Sequence, residues 1–293
     1  SGLSLFFIIS GFLTGLKPIT DGYWVKCRLK RILIPYYMAL VIFLLAIYCF
    51  TDEFRLWDAA HLISVTQGLN YIYWPYHGYG ALSGLGHLWY ITVILLCFVL
   101  TPVLNKVYNR INFGLEQWYI AIAVLICIVQ PLLISVGIQS SYIISFLIGF
   151  IFAKFNYNVT LKRRFCVGGI FVLISVIRLA GRHYIDGTIM YDRYIALVSQ
   201  GAMGFMVFAT VFMFGSLAKN RIRAIARSGV VLLIASVIYE IYLLHYFFLR
   251  GPWPIKNYVD NIVIADILVA ILSISVGLVL SKANKVIQSK AKN

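Results

Sequence analysis

The stretch KCRLKRILIPYYMALVIFLLAIYCF, residues 26–50, decides the fold. It places four basic residues within six positions, and a long run without any charge follows them. An uncharged run of about 20 residues crosses the hydrocarbon core of a bilayer as a helix. Lys and Arg mark the cytoplasmic end of such a helix. This stretch therefore predicts a membrane span with a basic cytoplasmic end.

The same alternation of apolar runs and basic gaps continues along the chain, which is 61% hydrophobic with a mean hydropathy of +0.89 and a net charge of +15. It predicts an all-α, polytopic transmembrane helix bundle. No low-complexity tract or soluble domain is visible, so residues 1–293 are predicted to form a single integral membrane domain. About nine spans are expected, at roughly 3–16, 32–50, 87–104, 117–136, 140–153, 165–180, 194–217, 229–249 and 261–281.

Basic residues collect in every second gap between the spans. One side takes the gaps around Lys26–Arg31, Lys106–Arg110, Lys154–Arg164 and Lys219–Arg227, and the tail from Lys282. The positive-inside rule then predicts a cytoplasmic C-terminus and an outside Ser1. Because topology accounts for the excess charge, the expected partner is the lipid bilayer and no nucleic acid.

The first apolar run, Leu3–Leu16, is short for a span, and an odd number of spans leaves Ser1 outside. We therefore expect the sequence to be N-terminally incomplete, with one helix preceding it. The five cysteines are scattered without Cys-x-x-Cys or His spacing, so neither a disulfide framework nor a metal site is indicated.

Small residues mark one face of the first run. Gly11 and Gly15 form a small-xxx-small pair, and Ser10 and Thr14 form another in the adjacent row. Such pairs let a neighbouring membrane helix approach to backbone contact, so plain helix packing is the favoured interpretation.

Two arginines, Arg28 and Arg31, lie three residues apart and share one side of a helix. Their guanidinium groups can hold a phosphate-bearing ligand in bidentate fashion. Topology alone also demands basic residues here, and anionic lipid would satisfy them. From charge alone, both interpretations stay open.

The outer segment Asn70–Tyr90 combines aromatic residues with four glycines, a proline, His77 and His87. Aromatic faces stack on sugar rings while Tyr and His side chains hydrogen-bond them, which predicts a saccharide site that includes His87, Trp89 and Tyr90. The alternative is an aromatic belt at the membrane interface.

Glu240 lies near the middle of its span, where an unpaired carboxylate costs about 3 kcal/mol, so a functional role is the default. On an ideal helix His245 points about 140° away from Glu240, so the two cannot form a dyad and each needs partners elsewhere. His245 fits a catalytic role or that of a satisfied interfacial histidine.

Four motifs appear together in order: Phe6-Phe7-x-x-Ser10-Gly11-Phe12, Arg28-x-x-Arg31 leading to Pro35-x-Tyr37, His87-Leu88-Trp89-Tyr90, and Tyr239-x-Ile241-Tyr242-Leu243-x-His245. Over residues 1 to about 281 the chain resembles the integral membrane acyltransferase-3 family of polysaccharide and lipid O-acyltransferases. Members of that family usually have ten core helices, which fits one helix preceding this sequence.

The resemblance implies an O-acyltransferase of the bacterial inner membrane, with acetyl as the expected acyl group. It would move an acyl group from cytoplasmic acyl-CoA, a co-substrate rather than a bound cofactor, to a hydroxyl of a surface polysaccharide or lipid-linked saccharide. It assigns acyl-CoA to Arg28 and Arg31, and expects the family's Arg and His for proton transfer in the helix before this sequence. The remaining assignments are Glu240, His245 and Ser10 as catalytic residues, and His87, Trp89, Tyr90, Tyr239 and Tyr242 as substrate-binding residues.

Two other functions stay open. A glycan exporter or flippase-like transporter would also place charges near the midplane, although no inverted repeat is visible between the halves of the sequence. An inactive, truncated remnant is the other alternative.

Overall fold

The computed structural model describes residues 2–16, 22–50, 56–68, 85–111, 124–135, 141–154 and 227–290, with single positions between 117 and 208. Those residues form helices and short turns, and no strand occurs in the ranges just given. The predicted all-α fold is confirmed. Apart from those single positions, the spans expected at 165–180 and 194–217 lie outside the described residues. So do residues 70–84 of the aromatic segment, and the charged residues Arg182, Asp186 and Arg193 between the two expected spans.

Eight α-helices carry the described part of the chain. Four helices are long and apolar enough to cross a membrane, at Gly22–Phe50, Gly86–Arg110, Val231–Asn257 and Ile262–Ile287, and two apolar helices, Leu3–Gly15 and Ser141–Lys154, are shorter. The elements are α1 (Gly2–Gly15), α2 (Gly22–Phe50), α3 (Leu56–Ile63), α4 (Trp89–Arg110), α5 (Gln130–Ser135), α6 (Ser141–Lys154), α7 (Gly229–Arg250) and α8 (Ile262–Lys290). Each coincides with or falls inside a predicted span, apart from α3 and the extended ends of α2, α4 and α8.

Helices α2 and α8 extend beyond the apolar runs that predicted them. Helix α2 begins at Gly22, so the basic run before Ile32 is already helical, and α8 continues to Lys290. Lys and Arg favour helix and keep their charged ends in water while their aliphatic stems cover apolar surface. The helices therefore end in the basic flank rather than at the edge of the hydrocarbon core.

The chain divides into two compact units. The first contains Ser1–Trp24, Tyr71–Tyr76 and Val93–Ile222, and the second contains Val25–Asn70, His77–Thr92 and Arg223–Asn293. Each unit is described by itself below.

Close packing of α1 against α6 organises the first unit. A Cβ added at Gly11 would overlap the Phe146 carbonyl oxygen, and one added at Gly149 would overlap the Ile8 carbonyl oxygen. At Gly15 it would lie 2.6 Å from the Phe150 carbonyl oxygen. The small-xxx-small pair of α1 therefore packs on the α6 backbone at Phe146 and Phe150, which confirms the predicted packing role.

In the second unit α2 and α7 run side by side in the same direction. The Tyr239 hydroxyl donates to the Ile32 carbonyl oxygen at 3.0 Å, and the Phe43 and Phe247 rings stack with centroids 4.4 Å apart. Helix α8 packs antiparallel on α7. The basic start of α2, the start of α7 and the basic end of α8 consequently share one side, as the charge pattern predicted.

Helix α3 folds back along α2 instead of lying in an outer loop. The hydroxyls of Tyr36 and Tyr37 donate to the carbonyl oxygens of Leu62 and Ile63, at 2.6 and 2.9 Å. Tyr36 precedes the end of α2 at Phe50 by about 20 Å of helical rise. Residues 56–68 therefore form a re-entrant segment, although the sequence placed them in the gap between two spans.

Candidate active site

The segment His87-Leu88-Trp89-Tyr90 lies in a 3-10 turn and the first turn of α4, and all four residues are buried. The His87 ring reaches the Leu243 carbonyl oxygen of α7 at 3.2 Å. Leu243 lies about 10 Å along α7 from Arg250, the last residue of that helix. Helix α4 therefore starts inside the depth that α7 spans, where irregular backbone is tolerated only against protein or a water-filled cavity.

Two histidines meet at this point, because the ring centroids of His87 and His245 are 5.4 Å apart. His245 Nδ1 lies 2.7 Å from the Tyr242 carbonyl oxygen. A carbonyl oxygen only accepts, so the proton sits on Nδ1 of His245 and, by the same reasoning, on Nε2 of His87. The neutral His245 ring then carries its basic lone pair on Nε2, and the neutral His87 ring on Nδ1.

Tyrosines connect this pair to the start of α2. The rings of Tyr90 and Tyr242 pack edge to face with their centroids 4.2 Å apart. The Tyr242 hydroxyl donates to the His87 carbonyl oxygen at 3.5 Å. The Tyr90 and Tyr239 hydroxyls share a hydrogen bond, and Tyr239 also donates to the Ile32 carbonyl oxygen. A row of hydroxyls therefore leads from the histidines to α2.

Arg28 lies one helical turn before Ile32, at the basic end of this row. It is half-buried, whereas Arg31 is exposed. The two positive charges are close enough to repel each other, which a bound polyanion relieves. Both arginines lie in the basic first part of α2, and their binding of a phosphate-bearing ligand stays a prediction.

Glu240 is buried, with 6% of its surface exposed, and its partners lie on α8. Its carboxylate hydrogen-bonds to the Asn284 side chain and is attracted by Lys285. Its Cβ packs beside Gly277. As the helical geometry predicted, Glu240 and His245 find separate partners. These contacts hold α8 against α7, and the catalytic role of Glu240 stays a prediction.

A pair of Glu240 variants separates its two possible roles. Glu240→Gln keeps a group that can bond to Asn284, so we expect it to unfold like the wild-type protein. Glu240→Leu removes the carboxylate that bonds to the Asn284 side chain, so it should lower the free energy of unfolding by about 1–3 kcal/mol. Thermal unfolding in detergent measures both. Equal stability of the two variants would contradict the packing role, and loss of acyl transfer in folded Glu240→Gln would establish a catalytic one.

Three further predicted site residues are Trp89, Tyr90 and Ser10. Trp89 and Tyr90 are 8% and 3% exposed, so they can meet a substrate only from within a cavity. Ser10 is half-buried on α1 and belongs to the first unit, whereas every other predicted site residue belongs to the second. The described residues contain no group of His, Cys, Asp and Glu able to hold a metal ion.

Sequence reasoning missed the residues that bond the His-Leu-Trp-Tyr segment to the tip of the re-entrant segment. Gln67 donates to the Leu88 carbonyl oxygen at 3.1 Å and to the Tyr36 hydroxyl at 3.2 Å. Thr92 lies four residues beyond Leu88 and bonds to Val65. Gln67 stands in a polar run typical of an ordinary loop, so no pattern in the sequence indicated this contact.

A family model described as an acyltransferase domain, that of the acyltransferase-3 family, matches residues 1–282. The chain belongs to the acyltransferase-3 family. No curated protein and no solved structure shows a significant match to the chain. The resemblance carried by the four motifs is thus confirmed, and the apolar helices make the protein a multi-pass membrane acyltransferase of that family.

Proposed function

We propose that the protein is an O-acyltransferase that moves an acyl group, most simply acetyl, from acyl-CoA to a hydroxyl of a surface polysaccharide or lipid-linked saccharide. The observation that carries the proposal is the row of groups in the second unit, from Arg28 through Tyr239, Tyr90 and Tyr242 to His245. It would join two basic side chains suited to a phosphorylated donor to a histidine suited to act as a base.

The dimensions of this row suit the donor. One helical turn separates Arg28 from Ile32, and six residues separate Tyr239 from His245, about 15 Å of helical rise in all. The phosphates of coenzyme A would bind Arg28 and Arg31 at the cytoplasmic face. Its extended pantetheine arm would then follow the tyrosines inward and bring the thioester to the histidines.

The chemistry requires a base at the far end of the row. The acceptor oxygen attacks the thioester carbonyl carbon, so a C–O bond forms and the C–S bond breaks. The acceptor's proton passes to Nε2 of His245, which returns it to the leaving thiolate to give free coenzyme A. The Tyr242 carbonyl oxygen supports this step because it holds the proton on Nδ1 and stabilises the doubly protonated ring.

The acceptor would approach from the opposite side of the membrane. Tyr242 packs on both histidine rings. Together with it, His87, Trp89, Tyr90 and Tyr239 would offer aromatic faces and polar groups, the groups that bind sugars. Ser10 and Glu240 stay candidate catalytic residues without a described contact to the histidines.

Substitution of Arg28 tests the donor site. We expect Arg28→Ala to lower kcat/KM for acyl-CoA about 10- to 150-fold, the loss of a charge-assisted hydrogen bond, mainly through a higher KM. Arg28→Lys keeps the charge without the bidentate fork and should recover only part of the loss. The matched control is Lys30→Ala, an exposed cation in the same run. Steady-state assays with radiolabelled acetyl-CoA give both constants, and unchanged dependence on acyl-CoA in Arg28→Ala would defeat the assignment.

A further inference from the structure

The tip of the re-entrant segment, Val65–Gly68, is bonded to the first turn of α4. The Thr92 hydroxyl donates to the Val65 carbonyl oxygen at 2.7 Å and accepts from the Gly68 amide at 3.0 Å. Gln67 donates to the Leu88 carbonyl oxygen. Both Gln67 and Thr92 are buried, with 2% and 7% of their surface exposed.

Contact between the two segments extends to the backbone. A Cβ added at Gly68 would overlap the Trp89 carbonyl oxygen and lie 2.5 Å from the Thr92 Cβ. Val65 has φ 58°, a left-handed conformation that is unfavourable for a β-branched residue. Strain of this kind persists only where the surrounding contacts impose it, and it concentrates at functional sites.

The His-Leu-Trp-Tyr segment is thereby held from two sides. On one side α7 contacts His87 through Leu243 and Tyr242. On the other side Gln67 and Thr92 fix the backbone of Leu88 and the turn that follows it. Because the backbone of Leu88 follows directly on His87, a shift of this turn displaces the His87 ring relative to His245.

We propose that Gln67 and Thr92 are positioning residues, which hold His87 against His245 by locking the re-entrant tip to the start of α4. This inference rests on the acyltransferase reaction proposed above. Neither residue contacts the histidine rings in the described bonds. Each acts through the backbone of the segment that carries His87.

Three variants test the loss of the hydroxyl and amide donors separately from a change in side-chain volume. Thr92→Val keeps the shape of the side chain and loses its hydroxyl, Thr92→Ser restores the hydroxyl, and Gln67→Met removes both amide donors. Tyr37→Phe is the matched control, since its hydroxyl bonds to α3 at Ile63 but not to the tip. We expect kcat to fall 10- to 100-fold in Thr92→Val and Gln67→Met, with KM for acetyl-CoA within twofold, and near-complete recovery in Thr92→Ser.

A purely structural role would lower the amount of folded protein and leave kcat per folded molecule unchanged in Thr92→Val and Gln67→Met, which would overturn the proposal. If Thr92→Val does not fold, Gln67→Met alone decides, because its donors meet the same segment.

A second measurement does not depend on activity. In the double variant His87→Cys/His245→Cys, a short bifunctional thiol reagent should link the two positions quickly, and at least tenfold more slowly once Thr92→Val is added. An unchanged rate would overturn the positioning role even if the protein proved not to be an acyltransferase. A lowered rate without any acyl transfer by the wild-type protein would uphold the positioning role and refute the proposed reaction.

Discussion

Replacing Gly11 or Gly149 with leucine should remove folded protein from the membrane almost completely. Each position faces a backbone carbonyl of the opposite helix, Phe146 or Ile8, which cannot move aside as the end of a flexible side chain can. Adding a side chain forces α1 and α6 apart, and the helices lose the contacts that close approach provides. Since overpacking of a well-packed core costs about 1–3 kcal/mol and more against backbone, we expect a loss at or above that range.

Gly22 and Gly229 provide the control for this prediction. Both are helical glycines with nothing within 4 Å of an added Cβ, so Gly22→Leu and Gly229→Leu should accumulate like the wild-type protein. Monodispersity in detergent, measured as the elution profile of a fluorescent fusion, compares all four variants. A Gly11→Leu protein as monodisperse as Gly22→Leu would show that the α1–α6 contact is not required.

The second large effect is expected on catalysis, from His245→Gln. Glutamine can still donate to the Tyr242 carbonyl oxygen but cannot accept a proton from the attacking hydroxyl. General-base catalysis typically contributes 10²- to 10⁴-fold, so kcat should fall by about that factor with little change in KM.

The neighbouring Tyr246→Phe serves as the matched control for His245→Gln. The ring centroids of Tyr246 and His87 are 4.9 Å apart, and the substitution keeps the ring while it removes the hydroxyl. We expect its kcat to stay within a fewfold of the wild-type value. If His245→Gln retained wild-type kcat, the base would have to be another group.

Local patterns in the sequence predicted much of the fold. Hydropathy alone located α1, α6 and α7 to within two residues, because a helix in lipid consists predominantly of apolar residues. Gly11 and Gly15 revealed a packing face, since spacing along one helix is a local property. For the same reason the angle between Glu240 and His245 correctly excluded a dyad on their own helix.

Contacts between segments that are distant in the sequence were not predicted. His87 and His245 come from opposite halves of the chain, and their roles were assigned singly, without a prediction that the rings meet. The return of α3 along α2 depends on hydrogen bonds from Tyr36 and Tyr37, which the sequence analysis did not predict. Gln67 and Thr92 become informative only once that return is known.

Transfer of an acyl group to a saccharide hydroxyl is the central claim, and the labelled product tests it most directly. Membranes containing the full-length protein would receive radiolabelled acetyl-CoA and the host's own glycan precursors. We predict label in the saccharide fraction that mild alkali releases, as an ester requires, and its absence with His245→Gln. Folded protein that yields no labelled saccharide from any acyl-CoA, while it carries saccharide across the membrane, would contradict the claim and identify an exporter.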